Sequence, residues 1–125
     1  MSQVPSDLKY TKDHEWARVQ GTLATIGITD YAQHELGDIV YVELPEVGAV
    51  VKQGGSFGEI EAVKTVAALY APVSGKVASV NTALADKADA INSDPYGQGW
   101  IIKIELSDPS EVKRLMDATA YQGTI

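Results

Sequence analysis

The chain has 125 residues, 45% of them apolar and 22% charged, the make-up of one ordinary globular domain. Seventeen acidic residues against ten basic ones leave a net charge of −7, which argues against a nucleic-acid surface and against docking on anionic lipid, since both draw on Lys and Arg. The absence of cysteine excludes disulfides, thiolate metal sites, iron–sulfur clusters and thiol nucleophiles.

No run approaches the ~18 apolar residues of a membrane span. Residues Met1 to Asp7 lack the basic and apolar stretches of a secretory signal and the arginines of a transit peptide. The expectation is a single domain over 1–125 in the cytoplasm, flexible over about 1–7.

Gly and Pro then punctuate a series of short β-prone runs. In chain order these are Trp16 to Gln20, Leu23 to Ile28 after the Gln20-Gly21 turn, Ile39 to Leu44, Ser56 to Ala62, Thr65 to Tyr70, and Gly75 to Val80. In the last run, Trp100, Ile102, Ile104 and Leu106 alternate with Lys103 and Glu105, the pattern of a half-buried strand. Many short strands with frequent turns predict a barrel or sandwich.

Helical signals are few. Asp30 with Gln33 three residues on is a capping-box pattern, and Gly37 is placed to close the helix in the left-handed region. Asp108, Pro109 and Glu111 fit N-cap, N1 and N3 of a C-terminal helix whose Val112, Leu115 and Met116 form one stripe. Residues Ala83 to Ala90 are helix-compatible by composition. One internal echo, P-x-x-G-x-V, occurs at Pro45 to Val50 and at Pro72 to Val77, 27 residues apart. It suits a two-fold quasi-symmetric β fold in which both copies make equivalent corners.

Little here supports autonomous catalysis. His14 and His34 are the only imidazoles. Neither has metal-ligand spacing or a nucleophile elbow nearby, and no phosphate or dinucleotide fingerprint is present. His14 reads as a turn or surface residue and His34 as lying on the exposed face of the short helix. Trp16, Tyr70 and Trp100 are expected to pack in or beside the core.

The informative segment is Glu59-Ile60-Glu61-Ala62-Val63-Lys64-Thr65-Val66-Ala67. If its two β-prone arms pair, Lys64 lies at or near the tip of a hairpin with its amine in water. Solubility alone explains many tip lysines, so the surroundings decide. Glu61 stands three residues before the lysine, and Leu69-Tyr70-Ala71-Pro72-Val73-Ser74-Gly75 follows.

Here the chain resembles the H proteins of the glycine cleavage system. Their Glu-Ser-Val-Lys lipoylation motif corresponds to Glu61-Ala62-Val63-Lys64, and their Leu-Tyr-Ser-Pro-Val-Ser-Gly segment to Leu69 through Gly75. Leu8 to Trp16, Ile26 to Gln33, Leu36 to Val40, Val42 to Gly48 and Asn92 to Trp100 are similar to further blocks of the family. The resemblance runs in order from about Leu8 to Ile104. Ala62 and Ala71 depart from it, each replacing a common serine.

The resemblance implies a mainly β, barrel-sandwich hybrid of the lipoyl/biotinyl type, with short peripheral helices and a C-terminal helix. It implies a non-catalytic carrier with lipoate in amide linkage to Lys64. It also implies three partner enzymes. A pyridoxal-phosphate decarboxylase (P protein) loads the aminomethyl group of glycine. A tetrahydrofolate-dependent aminomethyltransferase (T protein) unloads it, and a dihydrolipoyl dehydrogenase (L protein) reoxidises the dithiol. A lipoate–protein ligase or a lipoyl/octanoyl transferase would attach the cofactor and read Glu61. Glu15, in the His14-Glu15-Trp16 block, is the candidate carboxylate for the loaded arm's amine; its alternative is a solvated turn residue. A monomer suits a shuttle that visits several enzymes.

A biotinyl domain fits less well, because Lys64 has Val63 and Thr65 where that class has methionines. The acyl-carrying lipoyl domains of 2-oxo-acid dehydrogenases lack the His-Glu-Trp and Asp-Pro-Tyr-Gly blocks. A lipoyl-relay protein of H-protein type, and an unmodified interaction module, stay open at this point.

Overall fold

The computed structural model describes residues 2–125. Strands β1 (Lys9–Tyr10), β2 (Glu15–Gln20) and β3 (Leu23–Ile28) precede helix α1 (Asp30–Leu36), and β4 (Ile39–Glu43), β5 (Val50–Val51), β6 (Ser56–Ala62), β7 (Val66–Tyr70) and β8 (Gly75–Val80) follow. A 3₁₀ turn (Thr82–Ala85), α2 (Ala90–Ser93), β9 (Ile102–Leu106), a second 3₁₀ segment (Pro109–Arg114) and α3 (Ala118–Gln122) complete the chain. One sheet has the order β1-β2-β3-β9-β8-β5 and the other β4-β6-β7. Their pairings are antiparallel. The architecture is the expected mainly β barrel-sandwich hybrid, with two sheets that do not close into a continuous barrel.

Period-two alternation places the core between the sheets. Ile26, Ile102, Ile104 and Val77 from one sheet meet Val42, Phe57, Ile60 and Leu69 from the other in a single apolar cluster. Register breaks between Ile39 and Tyr41, Ser56 and Gly58, and Val77 and Ser79 curve the strands. The first of these breaks leaves both Val40 and Tyr41 facing solvent. A second cluster of Leu8, Tyr10, Trp16 and Tyr121 sits outside the first. Trp16 is fully buried and donates its indole N–H to the Pro95 carbonyl at 3.0 Å. Ahead of β1, the Gln3 N–H donates to Asp30, the Tyr96 hydroxyl donates to the Gln3 carbonyl, and the Tyr10 hydroxyl donates to the Pro5 carbonyl. Among the described residues no helix is long and apolar enough to cross a membrane.

Several local expectations are corrected. Helix α1 is capped by Thr29, whose extended backbone lets its hydroxyl accept from the Ala32 N–H at 3.2 Å. Asp30 is instead the first helical residue, accepting from the Gln33 amide at 2.8 Å. Gly37 has φ +77° but ψ −157°, outside the left-handed helical region. The segment from Asp108 is capped as expected but winds as 3₁₀ and ends at Leu115, which is extended. Two tertiary contacts compete with a continuing α-helix. Glu111 turns inward to accept from the Ser74 N–H (2.7 Å) and hydroxyl (2.8 Å), and Met116 bridges to Tyr10. The C-terminal helix is α3, capped by Asp117. Residues Ala83 to Ala90 are split between a 3₁₀ turn and the approach to α2. Trp100 precedes β9 rather than belonging to it, and Tyr70 faces outward, 37% exposed.

The two copies of the P-x-x-G-x-V echo lie against each other: Gly48 donates to the Val77 carbonyl and Val77 to the Ala49 carbonyl, both at 2.8 Å. Their glycines are not equivalent corners. Gly48 sits in a turn at φ +95°, whereas Gly75 is a strand residue chosen for close approach. A Cβ at Gly75 would fall inside contact distance of the Glu105 carbonyl oxygen on β9. Gly75→Ala is therefore expected to lose about 2–3 kcal/mol of stability. Urea unfolding would register this as a lower midpoint at unchanged slope.

Candidate functional site

β6 and β7 form a hairpin with Glu61 opposite Val66 and Glu59 opposite Ala68. The Ala62 N–H donates to the Thr65 carbonyl at 2.8 Å, which leaves Val63 and Lys64 as the tip. Both tip residues have negative φ, unlike the primed turns that two-residue hairpins favour. The tip is held from outside, because the Val63 N–H donates to the Asp38 carbonyl at 3.0 Å, just ahead of β4. Lys64 projects into solvent. The one ion pair among the described residues is His34–Asp30, so the Lys64 amine is unpaired. Around it the outer sheet face carries exposed Tyr41, Val63 and Val66 beside exposed Glu59 and Glu61.

The other end of β7 meets Glu15. The strand's pairing alternates, so with Ala62 and Thr65 bonded to each other, Val66, Ala68 and Tyr70 turn their backbone groups to the open edge. There the Tyr70 N–H donates to Glu15 Oε2 at 3.1 Å, and the Thr11 hydroxyl donates to Glu15 Oε1 at 2.9 Å. Glu15 is 2% exposed and opens β2. Burial pushes its carboxyl up to about 8, only partly offset by those two hydrogen bonds. It is not a solvated turn residue. A groove of about 280 Å³ runs between the β7 edge, α1 and the Asp13-His14-Glu15 turn. Its floor is apolar (Ile28, Ile60, Leu69), with Asp13 and Glu35 at its mouth. A second recess of about 400 Å³, bounded by Gln53, Arg114 and Met116, lies on the other side of Glu15.

The hairpin therefore carries two of the candidates, Lys64 and Glu61, on its tip and outer face, and the third, Glu15, closes the groove below. The four residues from Lys64 to Ala68 on the groove wall span at most about 14 Å of extended chain. His34 is exposed as expected, 65% at its side chain. His14 lies in a turn but is engaged: its Nδ1 is 2.8 Å from the Tyr121 hydroxyl. Sequence reasoning missed Thr11, Tyr121 and Glu35. Thr11, close to Glu15 in the chain, was the one within local reach, whereas Tyr121 lies 107 residues from His14. Among the described residues no cluster of His, Cys, Asp or Glu is arranged to hold a metal ion.

A barrel-sandwich hybrid that holds an unpaired lysine at a braced hairpin tip defines the lipoyl/biotinyl carrier class of domain. A family model described as Glycine cleavage H-protein matches residues 8–125. The glycine cleavage system H protein of Symbiobacterium thermophilum is 58% identical over 123 residues, covering 98% of this chain and 96% of the relative. That of Myxococcus xanthus is 58% identical over 122 residues, covering 98% and 95%. The crystal structure of the glycine cleavage system H protein from Mycobacterium marinum superposes with a TM-score of 0.89 at 43% identity, covering 96% of this chain and 97% of that one. The chain belongs to the glycine cleavage H-protein family.

Proposed function

We propose that this chain serves the glycine cleavage system as its lipoyl carrier in the cytoplasm, with Lys64 as the attachment residue and no catalysis of its own. One observation carries the reading: an unpaired amine on a braced tip, four residues along the chain from the wall of a groove that ends on a buried carboxyl. Lipoate in amide linkage there supplies a dithiolane whose sulfurs accept and release the aminomethyl group of glycine. The chain's residues present, shelter and identify that arm. The rigid β6–β7 ladder fixes the attachment point, and the apolar groove floor excludes water. Glu15 receives the cationic amine of the cargo through a charge-assisted hydrogen bond, releasing its own proton as it does so. The partners are the P, T and L proteins, together with the ligase or transferase that installs lipoate.

The test is a mass shift. Lipoylated protein with its arm in the oxidised dithiolane form, mixed with glycine and the pyridoxal-phosphate decarboxylase, should gain one aminomethyl group as CO₂ leaves and the S–S bond opens. A lipoylated chain that gains nothing from glycine serves another system.

Glu61 is assigned to recognition by the attaching enzyme, as an exposed carboxylate on the tip's outer face. Glu61→Ala should slow lipoylation roughly tenfold, the worth of one charge-assisted contact at an interface. A time course of intact mass reads this directly, and equal rates for parent and variant remove the role.

A further inference from the structure

His14 is the non-glycine residue with positive φ (+67°) among those described. An L-residue persists there only when its surroundings over-determine it. Four contacts do so. The His14 N–H donates to the Thr11 carbonyl at 3.2 Å, and its carbonyl accepts from the Thr29 N–H at 2.9 Å. Its ring lies 4.9 Å from that of Tyr31, and its Nδ1 meets the Tyr121 hydroxyl. Tyr121 is itself fixed. It is fully buried, stacked on Tyr10 at 4.7 Å and 9°, and 2.7 Å from the Thr29 hydroxyl.

The Thr29 hydroxyl, the Tyr121 hydroxyl and His14 Nδ1 thus form one chain of hydrogen bonds, with separations of 2.7 Å and 2.8 Å. The next residue in the chain is Glu15. We infer that Tyr121 is a positioning residue for the cargo groove: from α3 its hydroxyl locks His14 in the left-handed turn that aims Glu15 at the groove. The C-terminal helix is thereby part of the site, although it does not line the groove. This rests on the reading of Glu15 given above.

The variants are Tyr121→Phe, which keeps the stack on Tyr10, His14→Ala, and His14→Asn, whose amide tolerates positive φ and offers Tyr121 a partner. The first readout needs no lipoate: the ¹³C titration of the Glu15 carboxyl in the unmodified chain. Tyr121→Phe and His14→Ala should lower its midpoint by about one pH unit as the turn relaxes toward water, and His14→Asn should hold it. The second readout is the lifetime of the glycine-loaded protein by intact mass. The first two variants should shorten it about fivefold, again with His14→Asn close to the parent. An unmoved midpoint in both Tyr121→Phe and His14→Ala overturns the inference. If Tyr121→Phe fails to fold, the contrast between His14→Ala and His14→Asn decides alone. Glu15→Gln separates the two claims: a lifetime unchanged by it defeats the reading of Glu15, while the titration still tests the lock.

Discussion

Lys64→Arg is expected to fold like the parent and to gain no mass when incubated with lipoate, ATP and a lipoate–protein ligase. The parent should gain one lipoyl group. The substitution keeps the charge and the solvent-facing stem, so melting curves should coincide, as for other exposed positions without partners. What it removes is the nucleophile. A lysine amine gives up its proton near pH ~10.4, whereas a guanidinium stays protonated and delocalised beyond pH ~12. The effect is therefore all or none rather than graded. The other lysines serve as internal controls, since Lys52, Lys76 and Lys87 are also exposed. They differ from Lys64 in lying off the β6–β7 tip and away from Glu61. A Lys64→Arg protein that still gains a lipoyl group places the attachment on one of these and overturns the tip assignment. A parent that gains nothing removes the swinging arm altogether.

The strands of the core were legible because β-prone runs are bounded by Gly and Pro turns: Leu23–Ile28, buried almost throughout, and the partly alternating Ser56–Ala62 and Gly75–Val80 fall where those runs lie. Strands β1 and β5 have two residues each, too short to show any period. Helix ends were misread where a neighbour outcompeted the local rule. Thr29 caps α1 because Asp30 is occupied by Gln33 and Gln3, and Glu111 abandons its helix for Ser74. The hairpin lysine and Glu61 were legible because they are neighbours in the chain. The burial of Glu15 was not, because it depends on Tyr70, 55 residues away, and on a groove wall built by α1. From the sequence alone, a solvated turn residue stayed open as the alternative.

Glu15→Gln should shorten the lifetime of the glycine-loaded protein roughly ten- to a hundredfold, the range spanned by one hydrogen bond to a charged group. Glutamine fits the same space, and its Oε1 still accepts from the Tyr70 N–H, so the contact with the β7 edge is kept. It cannot become an anion, and the cargo amine loses its counter-ion. The pH dependence provides a second signature. The folded carboxyl titrates near 8 against an ordinary 4.5. The folded state thus holds a proton that the unfolded chain has lost between those values. Stability from this group is complete below pH 4.5, falls as pH rises through the window, and levels off above about 8. Glu15→Gln should flatten that slope and overtake the parent at the alkaline end. Shelter of the cargo runs in the opposite sense. Docking of a cation asks Glu15 to give up its proton, which becomes easier as pH climbs from 6 toward 8. The parent's loaded lifetime should lengthen over that interval, while that of Glu15→Gln should lack this rise. Parallel pH profiles for the two proteins would show that the carboxyl is buried for the fold alone and that the amine is held elsewhere.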